Sequence, residues 1–443
     1  MSRAAADLDT VIDSAKLGPF QISVIALCAL VAMIDGFDTQ VIGLVAPAIA
    51  ADWKVSPATF GLVFSSGLFS GMIGAFLMGQ AGDRWGRKPV LIAAILVFAL
   101  GSLATLLANT VDELILLRVI TGFGLGGALP IIISITAEFS PKRYRTNIVA
   151  LMYCGFPLGS ATGGFISAYA IPTFGWQSVF LGGGVFPLLL LPFLVVLVPE
   201  SARFLAVKGK SAQVEGVFRK MGCDIPWNGV TPSLSKADSP SVASLFAAGR
   251  APRTLLIWTT LFLSLLLTVF LASWMPLLAR QRGLGIQTAV MAVTVLNIGA
   301  IIGGFTIGRL CDRLSSAKPI AAAYALGAVA IALIGVVGQS SQLLLLAAFV
   351  AGMFTVGAQM TAIALSSHLY ETSLRSTGVG WAFGVGRIGA VVGPIAGGLL
   401  IGAHIPIPML FLIAGAVALC AALAVYPIRP SIFAKPQASS AGA

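Results

Sequence analysis

Runs of about twenty apolar residues recur along this chain from Phe20 to Tyr426, and that recurrence leaves little freedom of fold. About 20 helical residues cross the roughly 30 Å hydrocarbon layer of a bilayer, so each run reads as one membrane-spanning helix. Twelve are counted, near residues 20–47, 57–82, 89–108, 112–139, 146–171, 176–198, 254–279, 287–311, 319–338, 342–369, 375–403 and 406–427. Composition agrees: of 443 residues, 58% are hydrophobic and 10% charged, and the mean hydropathy is +0.97, a level no soluble domain sustains over this length. The expectation is an all-α membrane protein whose principal surroundings are the lipid bilayer.

A formal net charge of +11 would suggest nucleic acid in a soluble protein, so the placement of the cations decides. With the N-terminus set inside, 22 of the 27 Lys and Arg fall on cytoplasmic segments, eight of them between residues 199 and 253. Lys54, Arg280 and Arg282 fall outside, and Arg118 and Arg387 lie within the membrane. That asymmetry is the positive-inside rule; it accounts for the charge without nucleic acid and puts both termini in the cytoplasm. The opening MSRAAADLDTVIDSAK is polar and acid-bearing, unlike a signal peptide, so the first helix is expected to direct insertion itself. The five cysteines (Cys28, Cys154, Cys223, Cys311, Cys420) show no CxxC spacing and read as small core residues, with no disulfide framework and no metal site. No Asn-x-Ser/Thr acceptor occurs, which is compatible with a bacterial inner (plasma) membrane.

The longest polar stretch divides the helices six and six. The chain is therefore read as a cytoplasmic tail (1–19), an N-terminal six-helix bundle (20–198), a cytoplasmic central loop with one amphipathic helix (199–253), a C-terminal six-helix bundle (254–427) and a second cytoplasmic tail (428–443). Internal repetition supports the division. GQAGDR (79–84) recurs as GRLCDR (308–313), Asp83 and Asp312 lying 229 residues apart. PKRYR, ending at Arg145, is echoed by YETSLR, ending at Arg375, 230 residues later. GFPLGSATGG (155–164) is echoed by GAVVGPIAGG (389–398) at an offset of 234. Three nearly equal offsets point to duplication of a six-helix unit, and parallel six-helix halves enclosing a midplane site are the mark of a rocking transporter.

These residues resemble the major facilitator superfamily. GQAGDRWGRKPVL (79–91) is similar to that superfamily's loop between helices 2 and 3, and RVITGFGLGG (118–127) to its helix 4 motif. Within the superfamily, DGFD (35–38) resembles the DGxD of helix 1 in the aromatic acid/proton symporter family; EFSPKRYR (138–145) and YETSLRSTGVGWAFGVGRIGAVVGP (370–394) support the match. Gly159 is followed by Ser160 rather than the proline of drug/proton antiporters, and VPESARFL (198–205) is similar to the close of helix 6 in sugar porters. The resemblance implies two pseudo-symmetric bundles in a major facilitator fold. It also implies a proton-coupled symporter, not an enzyme, importing a small benzoate-like or hydroxybenzoate-like anion by alternating access. Another organic anion, such as a sialic acid or a dicarboxylate, is the alternative. Protons are the coupling ion, no cofactor is called for, and a monomer is expected. An intramembrane aspartyl protease would need acids facing each other from two helices, whereas Asp35 and Asp38 share one.

A charge at the bilayer centre costs roughly 2.5–3.5 kcal/mol on insertion scales, so membrane acids and arginines are functional candidates by default. Asp35 and Asp38, three residues apart, share a helical face and lie about 4.5 Å apart along the axis. Two carboxylates that close do not readily both ionise at low dielectric, so the pair can hold and release a proton; simple pairing with a neighbouring arginine is the alternative. The two histidines, His368 and His404, lie near helix ends and offer no mid-membrane imidazole. Arg118 is open to two roles, counter-ion of the aspartates or structural lock between helices 1 and 4. Arg387 in helix 11, among Gly384, Gly386 and Gly389, presents paired donors that match a carboxylate, although tight helix packing explains the glycines equally well. Trp381, Phe383 and Phe37 are expected to supply apolar walls for an aromatic ring. Asp83, Arg84, Arg87, Glu138, Arg143 and Arg145, with Asp312, Arg313 and Arg375 in the second half, read as a cytoplasmic gate or, for the basic ones, as topology signals.

Overall fold

The computed structural model describes residues 17–141, 143–223, 242–247, 249–314, 316–337, 339–367, 369–371 and 374–428, and all regular structure among them is helical. Twelve segments are long and apolar enough to cross a membrane. In chain order the α-helices are α1 (Pro19–Trp53), α2 (Phe60–Trp85), α3 (Arg87–Ala104), α4 (Val111–Glu138), α5 (Arg145–Tyr153), α6 (Gly155–Phe174) and α7 (Gln177–Leu197). Two short helices follow, α8 (Ala202–Val207) and α9 (Ser211–Lys220). The remainder are α10 (Ala251–Gln281), α11 (Ile286–Leu314), α12 (Lys318–Val336), α13 (Ser341–Ala351), α14 (Gly357–Ser366), α15 (Arg375–Gly402) and α16 (Ile407–Val425).

Several spans differ from the sequence expectation at their ends or within. Residue 47, the expected close of the first span, is Pro47, yet α1 continues through it to Trp53. The fifth span is two helices that meet at Cys154, and the tenth is α13 and α14 joined by a π-helical turn, Gly352–Val356. Among the described residues the central loop holds two α-helices rather than one. Helix starts follow ordinary capping chemistry. At α4 the Thr110 hydroxyl accepts from the Glu113 amide (3.2 Å) while the Glu113 carboxylate accepts from the Asn109 amide (2.8 Å).

The chain forms two compact units. Unit 1 consists of the described residues that fall within 1–41, 66–166 and 173–237. Its core runs through α1, α3, α4 and α7 and takes in α8 and α9, whose Leu205, Val214, Val217 and Phe218 are buried. α9 is tied to the start of α1, where Gln21 donates to the carbonyl of Met221 (3.4 Å).

Unit 2 consists of the described residues that fall within 42–65, 167–172 and 238–443. The C-terminal part of α1 and the start of α2 therefore fall in one compact unit with α10 to α16. Small residues are the cause. Gly43 lies against the backbone of Ala272 and Ser273, Gly61 against Pro394 and Gly398, and a Cβ on either glycine would crowd that backbone. Ser65 donates to the carbonyl of Val391 (2.8 Å), and Phe64 meets Trp274 edge to face at 5.1 Å. Of the cysteines expected in the core, Cys28 and Cys311 are buried, whereas Cys154 and Cys420 are exposed on helix surfaces, where lipid suits a thiol as well as a core does.

Candidate functional site

In unit 1 the chemistry gathers around Asp35, Gly36 and Asp38 of α1. A Cβ on Gly36 would collide with the backbone of Phe156, one on Gly159 with the carbonyl of Met33, and one on Gly155 with that of Ala29. α1 and α6 thus touch backbone to backbone, and Ser160 donates to the carbonyl of Gly36 (2.9 Å). This contact fixes the rotation of α1 and directs its acids. Asp35 and Asp38 are only 5% and 7% exposed, within the bundle rather than toward lipid.

Asp38 meets Arg118 of α4, whose Nη1 donates to Oδ1 at 3.3 Å. The Arg118 guanidinium also lies 4.9 Å from the centre of the Phe180 ring. Arg118 is 3% exposed, and its Nε and Nη2 have no hydrogen-bond partner among the described residues. A buried cation with one long charged contact and two unused donors is under-compensated, so it gains strongly from nearby negative charge. The contact bridges α1 and α4, as either role expected of Arg118 requires. Phe37 points elsewhere: its ring packs against Gly163 of α6 and Gly183 of α7.

At the α2–α3 turn, Gly86 adopts φ +107°, open to glycine and strained for other residues. The sharp turn places Asp83 3.8 Å from Arg87, which also pairs with Glu138 of α4. Sequence reasoning missed the next member. Glu200 accepts from the amides of Arg87 (2.8 Å) and Lys88 (3.3 Å), acting as the helix cap that Gly86 has no side chain to provide. The available signal was an acid directly after a span, where the positive-inside bias does not explain it. Arg84 and Arg143 are exposed, and Arg143 lies over its neighbour Tyr144. Arg145 reaches the carbonyl of Ser140 at 3.4 Å.

In unit 2, Arg387 lies part-way along α15 with its guanidinium 5.2 Å from the centre of the Phe383 ring. Of the glycines around it, Gly386 presses on Leu261 and Leu265 of α10, and Gly389 on Phe262. Those two explain themselves by packing. Gly384 and, a turn earlier, Gly380 have open space where a Cβ would stand, and with Arg387 they share one helical face. The arrangement is a guanidinium beside a flat, unobstructed strip. Trp381 stacks on Trp258 of α10 at 6.1 Å. Asp312 and Arg313 are exposed and form no ion pair among the described residues. The side chain of Arg375 and the whole of His368 lie outside the described residues; His404 sits in the turn after α15.

Twelve spans in this topology, with buried ionisable groups inside them, define a membrane transporter of the major facilitator fold. The Major Facilitator Superfamily model matches residues 28–336 and 291–442, and the chain belongs to that superfamily. It is 38% identical over 426 residues to the gallate transporter of Pseudomonas putida, covering 95% of each chain. It is 37% identical over 404 residues to the 4-hydroxybenzoate transporter PcaK of Pseudomonas aeruginosa, covering 89% of this chain and 90% of that one. Against the benzoate transport protein of Acinetobacter baylyi the identity is 31%, with 90% and 88% covered. Among solved structures, the xylose transporter XylE of E. coli in a partially occluded inward-open conformation superposes with a TM-score of 0.71. That likeness, at 18% identity over 92% of this chain and 97% of XylE, concerns the fold. Similarity of this kind marks the chain as a transporter and not an enzyme.

Proposed function

We propose that the protein is a proton-coupled symporter that imports a small aromatic carboxylate, of the benzoate or hydroxybenzoate type, across the inner membrane by alternating access. It works as a monomer with both termini in the cytoplasm. The observation that carries this reading is the buried Asp38–Arg118 contact beside Asp35, in a chain whose relatives are named for gallate, 4-hydroxybenzoate and benzoate. An anion alone is driven out of the cell, because each elementary charge moved across the membrane changes the free energy by about 2.3 kcal/mol per 100 mV. Accumulation therefore requires at least one proton to travel with it.

Protonation is assigned to Asp35 and Asp38. A proton on Asp38 weakens its hold on Arg118, and return of the carboxylate to the guanidinium favours release of the proton. The substrate carboxylate is assigned to Arg387, whose forked donors match it, with the ring lying on the strip at Gly380 and Gly384 beside Phe383. Occupancy by the proton favours binding of the anion, and by linkage the anion favours the proton to the same degree. Phe37 and Trp381 support their neighbours by packing. Asp83, Arg87, Glu138 and Glu200 form a gate that locks the α2–α3 turn and opens as the inner face opens. Arg84, Arg143, Arg145, Asp312, Arg313 and Arg375 act at the same membrane face through their charge.

Uptake of labelled benzoate and 4-hydroxybenzoate into proteoliposomes under an imposed pH gradient tests the reading. Wild type should accumulate an aromatic acid, Asp38→Asn should not, and Arg387→Ala should need far more substrate. Accumulation that survives collapse of the gradient would rule out proton coupling, and preference for a sialic acid or dicarboxylate would rule out the substrate class.

A further inference from the structure

Unit 2 buries a neutral polar cluster that the charged residues do not explain. It joins α10, α12 and α14. The Thr268 hydroxyl donates to Gln359 Oε1, and Ser264 approaches the same oxygen at 3.5 Å. Behind Ser264, the hydroxyl of Tyr324 lies at 2.7 Å, and both Ser264 and Tyr324 are essentially inaccessible. The ordering of donors follows: Tyr324 gives its proton to Ser264, and Ser264 and Thr268 give theirs to the Gln359 carbonyl. That carbonyl is held by hydroxyls on two successive turns of α10. The amide NH2 of Gln359 is the end left over, with no hydrogen-bond partner among the described residues, and Gln359 is only partly buried.

A primary amide within a membrane span is costly unless both of its ends are used, because each unmet polar group in an apolar setting is penalised by a few kcal/mol. Here three hydroxyl-bearing residues aim the carbonyl, which fixes the direction of the free donors. The π-helical turn at Gly352–Val356 ends immediately before α14, and such turns re-aim the side chains that follow. α10 is the common strut. Its Leu261, Phe262 and Leu265 receive the glycines on either side of Arg387, while Ser264 and Thr268, at the same level and up to a turn further along, receive Gln359. A guanidinium and an oriented amide donor are thereby set at nearby depths on helices flanking the same strut.

We propose that Gln359 is a specificity-determining residue whose amide NH2 donates to a ring hydroxyl oxygen of the aromatic acid held at Arg387, with Thr268, Ser264 and Tyr324 as its positioning residues. The assignment rests on the aromatic-acid reading given above and narrows it to hydroxylated rings. Because the carbonyl is already occupied, the site rewards a ring substituent that accepts a hydrogen bond and does nothing for a methyl group of similar size.

The test is a ratio, the KM for benzoate divided by the KM for 4-hydroxybenzoate, measured by proteoliposome uptake for wild type, Gln359→Met and Thr268→Val, with 4-methylbenzoate as a size control. One hydrogen bond of ordinary strength corresponds to a preference of about tenfold. Wild type should show that preference, with 4-methylbenzoate grouped with benzoate. In Gln359→Met the ratio should fall to about one, and in Thr268→Val, where the amide is only half-held, to an intermediate value. A substitution that merely loosened the fold would worsen both substrates together and leave the ratio where it was. If Gln359→Met is not recovered as folded protein, the ratio in Thr268→Val decides alone. A wild-type ratio near one, or an unchanged ratio in the variants, overturns the role of Gln359 while leaving aromatic-acid transport intact. Failure of wild type to take up any of the three acids overturns the transport reading and the Gln359 assignment with it.

Discussion

The two units carry opposite chemistry in their spans. In unit 1, two carboxylates and a guanidinium are buried together, and the arginine is already matched to an acid. In unit 2, Arg387 has no acid partner among the described residues, and the polar cluster of Ser264, Thr268, Tyr324 and Gln359 is neutral. A carboxylate held by a resident arginine is suited to taking up a proton as that contact breaks and releasing it as the contact re-forms; an arginine beside open glycines is suited to a carboxylate that comes and goes. The buried charges therefore differ between the units, two acids with an arginine in unit 1 and an arginine without a resident acid among the described residues in unit 2.

The α2–α3 turn and its counterpart after α11 diverge as well. At an offset of 229, Gly86 and Arg87 correspond to Ser315 and Ser316. The second copy keeps the Asp-Arg pair but has neither the glycine that makes the turn nor the arginine that links it to Glu138.

The contrast breaks most visibly at Arg118. Arg118→Leu leaves Asp38 buried without its cation, which costs about 3–5 kcal/mol, and should lower thermal stability sharply as well as transport. A change no larger than that of Arg84→Leu, an exposed arginine, would mean the pair is not what holds α1 to α4. Next in size is Arg387→Ala. With no resident partner to orphan, it should leave melting nearly unchanged and raise the KM for aromatic acids by about 10–100-fold, the value of a charged hydrogen bond or more. Arg387→Lys should recover only part, because a point charge lacks the fork. Glu200→Gln weakens the borrowed cap on α3 and should cost about 1 kcal/mol, read as a modest shift in melting. Smallest is Asp312→Asn, expected within about 0.5 kcal/mol of wild type, since that exposed acid forms no ion pair among the described residues. Equal effects at Glu200 and Asp312 would erase the difference between the two turns.

The spans and the candidate charges were legible because each follows from a local rule: apolar length, cation placement, an acid where none belongs. Arg118 and Asp38 are 80 residues apart and still foreseeable as partners, since a buried cation and a buried acid have few other places to go. Glycines were legible only as a class. That Gly386 and Gly389 are packed while Gly384 is open depends on which neighbour each one faces, and that is set by helix rotation, which periodicity in a uniformly apolar segment does not reveal. Membership of residues 42–65 in unit 2 and the capping of α3 by Glu200 are long-range outcomes of the same kind. Gln359 carried no charge to draw attention, and its meaning emerges only with the hydroxyls of two other helices around it.

The proton-coupling role proposed for Asp38 is tested most directly by proton movement itself. Wild type and Asp38→Asn are reconstituted in weakly buffered proteoliposomes with no imposed gradient, and 4-hydroxybenzoate is added outside while external pH is followed. Wild type should alkalinise the medium promptly, and Asp38→Asn should not, even when labelled anion still exchanges. Alkalinisation of wild-type size in Asp38→Asn would contradict that role.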